Sequence, residues 1–228
     1  MSLLAIDTAT PATVVALRDA DGTVLEARDE PPPGTRPRHA TAVLALAEDL
    51  LVRAGRDWSE LTRIAVGVGP GGFTGLRIGV STARALAQAH GLSVVGVSSL
   101  RALALGARDA AAGRPVLGAI DARRGEAFAA AWSDGGEPIL AAAAYAPEAL
   151  VEAASRLDRT PLAVGDGALR CSGELAAAGI EVAGAGSPLH RISGEALCRL
   201  AVDADPLPRE AVLPDYRRDP DAKPPRLP

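Results

Sequence analysis

At 228 residues, with 48% hydrophobic but only 3% aromatic residues, the chain suits one large domain or two small ones around an aliphatic Ala/Leu/Val core. A net charge of −4 gives no global drive toward nucleic acid or an anionic membrane. Lys223 is the only lysine, which argues against Schiff-base chemistry, and no uncharged apolar run is long enough to span a bilayer. Asp7 interrupts the N-terminal apolar run and no basic segment precedes it, so the start does not read as a signal peptide. Cys171 and Cys198 lie far apart and form no CxxC, as expected of buried thiols in a reducing cytoplasm.

Leu3 to Asp7 reads as a strand ending in a carboxylate, followed by the turn Thr8-Ala9-Thr10-Pro11. Thr13 to Leu17 is a second strand, Asp21-Gly22 a hairpin turn, and Thr23 to Ala27 the returning strand. Pro31-Pro32-Pro33-Gly34 breaks regular structure. Val43, Leu44, Ala47, Leu50, Leu51 and Ala54 recur at helical spacing, which predicts a helix over His39 to Ala54. Gly55 suits the position just beyond its end. Ile64 to Val68 is a buried strand and Leu76 to His90 an Ala-rich helix. Leu92 to Val97 is another strand, and Ser99 is placed to cap a helix running to about Ala112.

Between the Ile64–Val68 strand and its helix lies Gly69-Pro70-Gly71-Gly72-Phe73-Thr74-Gly75-Leu76-Arg77-Ile78-Gly79. Strand, Gly-rich turn and helix start make a setting that attracts anions, yet the standard motifs fail. Gly67 to Gly72 satisfies G-x-G-x-x-G, but the acidic residue expected roughly 20 positions on is missing, and no Lys-Ser/Thr completes a P-loop. Pro70 also removes one backbone donor. Gly75, Gly79, Ala83 and Ala87 recur every four residues, a bare stripe on one helix face. It serves either close packing inside the domain or contact with a second chain. The contact reading takes Leu44 and Leu51 on the preceding helix, with Gly75, Leu76, Gly79, Val80 and Ala83, as an interface.

The second half restarts the first. Ala5-Ile6-Asp7 recurs as Ala119-Ile120-Asp121, at the end of a strand from Val116. Glu126 to Trp132 answers the second strand, and Asp134-Gly135-Gly136 answers the hairpin turn. A helix (147–157), a strand (162–164), a helix (169–178), a short strand (180–183) and a last helix (194–204) follow. The tail from Pro206 carries seven prolines and is expected to be mostly extended. This is an internal duplication: two lobes of β-β-β-α-β-α type with carboxylates at equivalent strand ends. It describes an α/β protein of actin/hexokinase/Hsp70-like architecture, with mixed sheets flanked by helices. The expected division is residues 1–100 for the first lobe, joined by the helix near 194–204, and 101–228 for the second lobe and tail.

Leu4-Ala5-Ile6-Asp7-Thr8-Ala9, the Gly69–Gly79 signature, Ile120-Asp121-Ala122-Arg123-Arg124-Gly125-Glu126 and Pro214-Asp215-Tyr216-Arg217-Arg218 together resemble the TsaB (YeaZ) family over nearly the whole chain. Gly72 stands where Ser is common. The resemblance implies a cytoplasmic dimerisation subunit of the bacterial machinery that makes threonylcarbamoyladenosine in tRNA. Its implied partners are a TsaD-like catalytic subunit, which transfers the group to adenosine 37, and a TsaE-like ATPase. Contact with tRNA would be indirect, and the free protein would form a homodimer. Rival readings are a stand-alone nucleotide-dependent kinase or carbamoyltransferase, and a nucleotide-sensing homodimer.

Asp7, Thr8 and Asp121 are the candidate residues of a relic nucleotide cleft, holding nucleotide weakly and only within the complex. Asp7 is also placed to bond its own turn as an Asx residue. The metal expectation is none, because His39, His90 and His190 are far apart and no carboxylate cluster has ligand spacing. Each histidine reads as a surface or capping residue. No G-x-S-x-G elbow supports Ser98 or Ser99 as a nucleophile, and no catalytic residue is expected.

Overall fold

A computed structural model describes residues 1–32 and 34–218. Pro33 of the proline break and tail residues 219–228, Lys223 among them, lie outside the described residues. The first half folds as β1 (Leu3–Asp7), β2 (Thr13–Arg18), β3 (Val24–Asp29), α1 (His39–Ala54), β4 (Arg63–Gly69), α2 (Phe73–His90), β5 (Ser93–Ser98) and α3 (Ser99–Gly106). The second folds as β6 (Val116–Arg123), β7 (Glu126–Trp132), β8 (Pro138–Tyr145), α4 (Pro147–Ser155), β9 (Leu162–Val164), α5 (Asp166–Arg170), α6 (Ser172–Ala177), β10 (Glu181–Val182) and α7 (Gly194–Val202).

The two sheets have one topology. The first runs β3-β2-β1-β4-β5 and the second β8-β7-β6-β9-β10. In each, the first strand pairs antiparallel with the second and parallel with the fourth. β1 is buried along its whole length, as suits a central strand covered on both faces. Alternate residues go to opposite layers. Leu4 and Ile6 meet Val43, Ala47, Leu50 and Val80 of α1 and α2. Leu3 and Ala5 face a central layer with Leu100 and Leu103 of α3, Leu197 and Ala201 of α7, and Ile120 and Val164 of the second sheet. Leu117, Ala119 and Ala129 turn outward to Leu150 of α4 and Leu175 of α6. The order is helix pair, sheet, helix pair, sheet, helices, and the fold is the actin/hexokinase/Hsp70-like one.

Several boundaries differ from the sequence reading. α3 is capped by Ser98, whose Oγ accepts from Arg101 N at 3.3 Å; Ser99 is turned inward instead. α3 stops at Gly106, and a separate 3-10 turn covers Asp109–Ala111. The single helix expected over 169–178 is two short ones that meet at Cys171. Cys171 and Cys198 are both free and buried.

α7 follows the second sheet in sequence yet is held by the first. Glu26 Oε2 accepts from Gly194 N at 2.6 Å at its N-terminus. Arg63 donates to the carbonyls of Ala201 and, at 2.9 Å, Ala204 at the other end. Both charges sit at the dipole end that favours them. The tail then straps the lobes together. Leu207 N donates to Val94 O and Asp215 N to Val68 O, at 3.0 and 2.7 Å. Tyr216 Oη accepts from Arg77 Nε at 3.0 Å. Arg218 then crosses to the second lobe, donating to Ala122 O at 3.0 Å and pairing with Glu126.

Candidate functional site

Both lobes form the same turn after the Ala-Ile-Asp strand end. Ala9 N donates to Asp7 Oδ1 and Arg123 N to Asp121 Oδ1, each at 2.8 Å. These are Asx turns, with the carboxylate standing in for a backbone acceptor. The other Asp7 oxygen accepts from Ser99 Oγ at 2.6 Å. Asp7 is wholly buried, and a Cβ on Gly67 would fall 1.8 Å from Asp7 Oδ2. Burial pushes its pKa up to about 6, against the pull of the Ser99 and Ala9 bonds.

Asp121 stays at the cleft between the lobes, with Arg123 and Arg170 at 3.7 and 3.9 Å. Asp166, at the start of α5, accepts from Asp121 N at 2.9 Å, and burial raises its pKa. The cleft is a cavity of about 520 Å³ lined by Thr8 to Pro11, Arg36, His39, Gly72 to Gly75, Asp121, Arg123 and Asp166. Thr8 closes its floor, donating from Oγ1 to Gly75 O at 2.8 Å. Thr8 and Asp121 therefore meet in one cleft, whereas Asp7 lies sealed behind it.

The small-residue stripe faces inward. A Cβ added at Gly75 would lie 2.1 Å from Thr8 O, and one at Gly79 2.3 Å from Thr8 Oγ1. Leu51, Leu76, Val80 and Ala83 are buried in the chain's own core. The interface set is thus corrected. Gly75, Leu76, Gly79, Val80, Ala83 and Leu51 close the first lobe, and Leu44 alone of the seven is exposed, at 44%. Glycine here permits backbone-to-backbone approach within one chain.

Of the histidines, His39 departs from the surface-or-capping reading, whereas His90 agrees with it. His90 is exposed and stacks on Trp58 at 4.7 Å. His190 Nδ1 accepts from Gly165 N at 3.0 Å and braces that turn. His39 is buried, its Nδ1 2.8 Å from Thr13 Oγ1. Its signal was present in the sequence, four residues before Val43 on the buried stripe of α1. Asp166 carried no comparable signal. Among the described residues no three His, Cys, Asp or Glu side chains gather as a metal site would require, and no helix is long and apolar enough to cross a membrane.

A family model described as TsaD, tRNA N6-adenosine threonylcarbamoyltransferase, matches residues 31–162, more than half of the chain. The protein named tRNA threonylcarbamoyladenosine biosynthesis protein TsaB from Escherichia coli K12 is 43% identical over 128 residues. The chain belongs to this family, in its TsaB (YeaZ) branch. The TsaB protein of Bacillus subtilis 168 is 33% identical over 132 residues. Each alignment covers 56% of this chain and 53% of the relative, so the chain spans about half the length of the curated relatives it matches. A Pseudomonas aeruginosa structure titled as similar to peptidase YeaZ superposes with a TM-score of 0.77 at 29% identity, covering 95% of this chain and 99% of that one. The ethanolamine utilization protein EutJ of Carboxydothermus hydrogenoformans, at 16% identity and a TM-score of 0.51 over 86% of this chain and 88% of that one, shares the fold.

Proposed function

We propose that the chain is a non-catalytic scaffold and dimerisation subunit in tRNA threonylcarbamoyladenosine synthesis. It pairs with a TsaD-like catalytic subunit, which transfers the threonylcarbamoyl group to adenosine 37 of tRNA. A TsaE-like ATPase completes the cytoplasmic assembly, and tRNA is met through the partners. The chain has no cofactor of its own, nucleotide binding being weak and confined to the complex. Family membership supports the pathway. The observation that carries the non-catalytic reading is the sealing of Asp7, both of whose oxygens are used internally. A carboxylate at that strand end serves Mg-phosphate or a substrate proton only if it reaches them, and Asp7 has no exposure.

With the small stripe turned inward, the outer faces of α1 and α2 are free for the partner. Leu44 and Val52 are 44% and 78% exposed on α1, with Ser81 and Ala85 exposed on α2. A partner of the same fold would meet this face pseudo-symmetrically, and a second copy would occupy it when the partner is missing. Burying such leucine and valine side chains is worth about 1.5–3 kcal/mol each. The test reconstitutes transfer to tRNA from a TsaD-like subunit and a TsaE-like ATPase, with and without this chain. Full activity without it, or turnover by this chain alone, would sink the proposal. Leu44→Asp is expected to lower complex formation at least tenfold while leaving the melting temperature within a degree or two, since Leu44 is exposed.

A further inference from the structure

The cleft between the lobes gathers hydrogen-bond donors that have no acceptor among the described residues. α2 begins at Phe73 and no side chain caps it; Phe73, Thr74 and Gly75 line the cavity. The first amides of a helix lack intrahelical acceptors and carry the positive end of its dipole. That feature recurs in many proteins and alone marks no site.

The second observation is His39, which is 5% exposed and lines the same cavity. Its Nδ1 is engaged by Thr13 Oγ1, while Nε2 has no hydrogen-bond partner among the described residues. Nε2 faces the start of α2, since a Cβ on Gly75 would sit 3.2 Å from it. The tautomer follows from Thr13. That hydroxyl is fully buried, and among the described residues His39 Nδ1 is its one acceptor. An unmet buried donor costs about 1–3 kcal/mol, so the hydroxyl donates to Nδ1 and the ring carries its proton on Nε2. Burial favours the neutral ring, against the opposing pull of Asp29. Nε2–H is therefore another donor, carried by a buried histidine that lines the cavity beside the start of α2. Arg36, which has no ion-pair partner among the described residues, stands at the rim.

We propose that this corner of the cleft is an oxyanion site, in which the Phe73–Gly75 amides and His39 Nε2–H hold a phosphate or carboxylate group and Arg36 closes over it. The carboxylates of the opposite wall are themselves engaged. Arg123 and Arg170 flank Asp121, and Asp166 accepts from Asp121 N. The proposal stands independently of the scaffold role, because it concerns the chain without partners.

The test is NMR on the full chain, following the His39 ring nitrogens and the amides of residues 73–75 while inorganic phosphate, acetate or ADP is added. Saturable shifts confined to these groups are expected. Phosphate stronger than acetate identifies a phosphate site and the reverse a carboxylate site; ADP is expected to bind the free chain no more tightly than phosphate, since nucleotide binding is confined to the complex. Arg36→Ala, at an exposed position, and Thr74→Pro, which deletes one amide in the first helical turn where proline is tolerated, should each weaken binding by about tenfold. Absence of saturable shifts with all three probes would overturn the proposal. So would saturable binding that both variants leave unchanged.

Discussion

The two lobes begin with the same turn and finish it differently. Ala9 N on Asp7 and Arg123 N on Asp121 make the same bond at the same distance. Asp7 is then sealed, while Asp121 remains in the cleft beside Arg123 and Arg170. Asp7 is sealed by Ser99 at the start of α3 and by the bare Gly67 of β4, and the lobes also differ in what they lay over the turn itself. The first lays down α2, 18 residues long, whose Gly75 and Gly79 let it rest on Thr8. The second has α5, of 5 residues, and α6, of 6, at the corresponding place. A short helix covers less, so Asp121 stays reachable. The lesson is that the glycines of the signature bring α2 down onto Thr8, while residues outside the signature, Ser99 and Gly67, retire the carboxylate.

The most severe way to break this contrast is to overpack the first lobe. Gly79→Leu places a side chain where even a Cβ meets Thr8. Such overpacking costs typically 1–3 kcal/mol and occasionally more, and this site belongs at the upper end. The melting temperature should fall by about 6 °C or more, at roughly 2–4 °C per kcal/mol for a chain of this size. The oligomeric state by light scattering should not change. An intact melt with an altered oligomer would return the stripe to the partner interface.

A second test uses pH. The Asp7 carboxyl has a folded pKa of about 6 against 3.8 for an unburied carboxyl, burial being the cause. Because the folded value is raised, its contribution to stability is fully present below about pH 3.8. It is lost as pH rises through 6. The swing is on the order of 3 kcal/mol. Asp7→Asn removes that titration. Its melting temperature relative to the natural chain should therefore rise between pH 4 and pH 7.5, as scanning calorimetry would read. A pH-independent difference would mean that Asp7 is not held as described.

The smallest effect belongs to the other lobe. Asp121→Asn keeps an acceptor for Arg123 N and loses two long, partly exposed ion pairs. Pairs of that kind contribute about 0–1 kcal/mol, so thermal stability should shift by no more than that. A loss matching that of Gly79→Leu would show that the second turn is as firmly closed as the first.

Much of the architecture was legible in the residues. The bounds of α1 and β7 agree with the sequence reading residue for residue, because α1 has a clear helical period ended by Gly55 and β7 is an apolar run bounded by Gly125 and the Asp134-Gly135-Gly136 turn. The repeated Ala-Ile-Asp reported the duplication, since the same strand end must make the same turn. β8 had no bounds in the sequence reading, because Pro138 to Tyr145 is Ala-rich and offers little contrast between faces. The cleft was half legible: Thr8 and Asp121 line it, but the sealing of Asp7 depends on Ser99 and Gly67, remote in sequence.

Local chemistry determined the elements, the Asx turns and the places where the chain must bend, because periodicity, turn residues and breakers act over a few positions. Tertiary structure decided which way each face looked. A stripe of Gly75, Gly79 and Ala83 announces that some backbone comes close, and its spacing is the same whether that backbone belongs to another chain or to Thr8. Likewise, His39 stands on the same helical spacing whether solvent or Thr13 waits beside it. Direction is set by packing across tens of residues, and that information exists only once the sheet has placed β1 beneath α2.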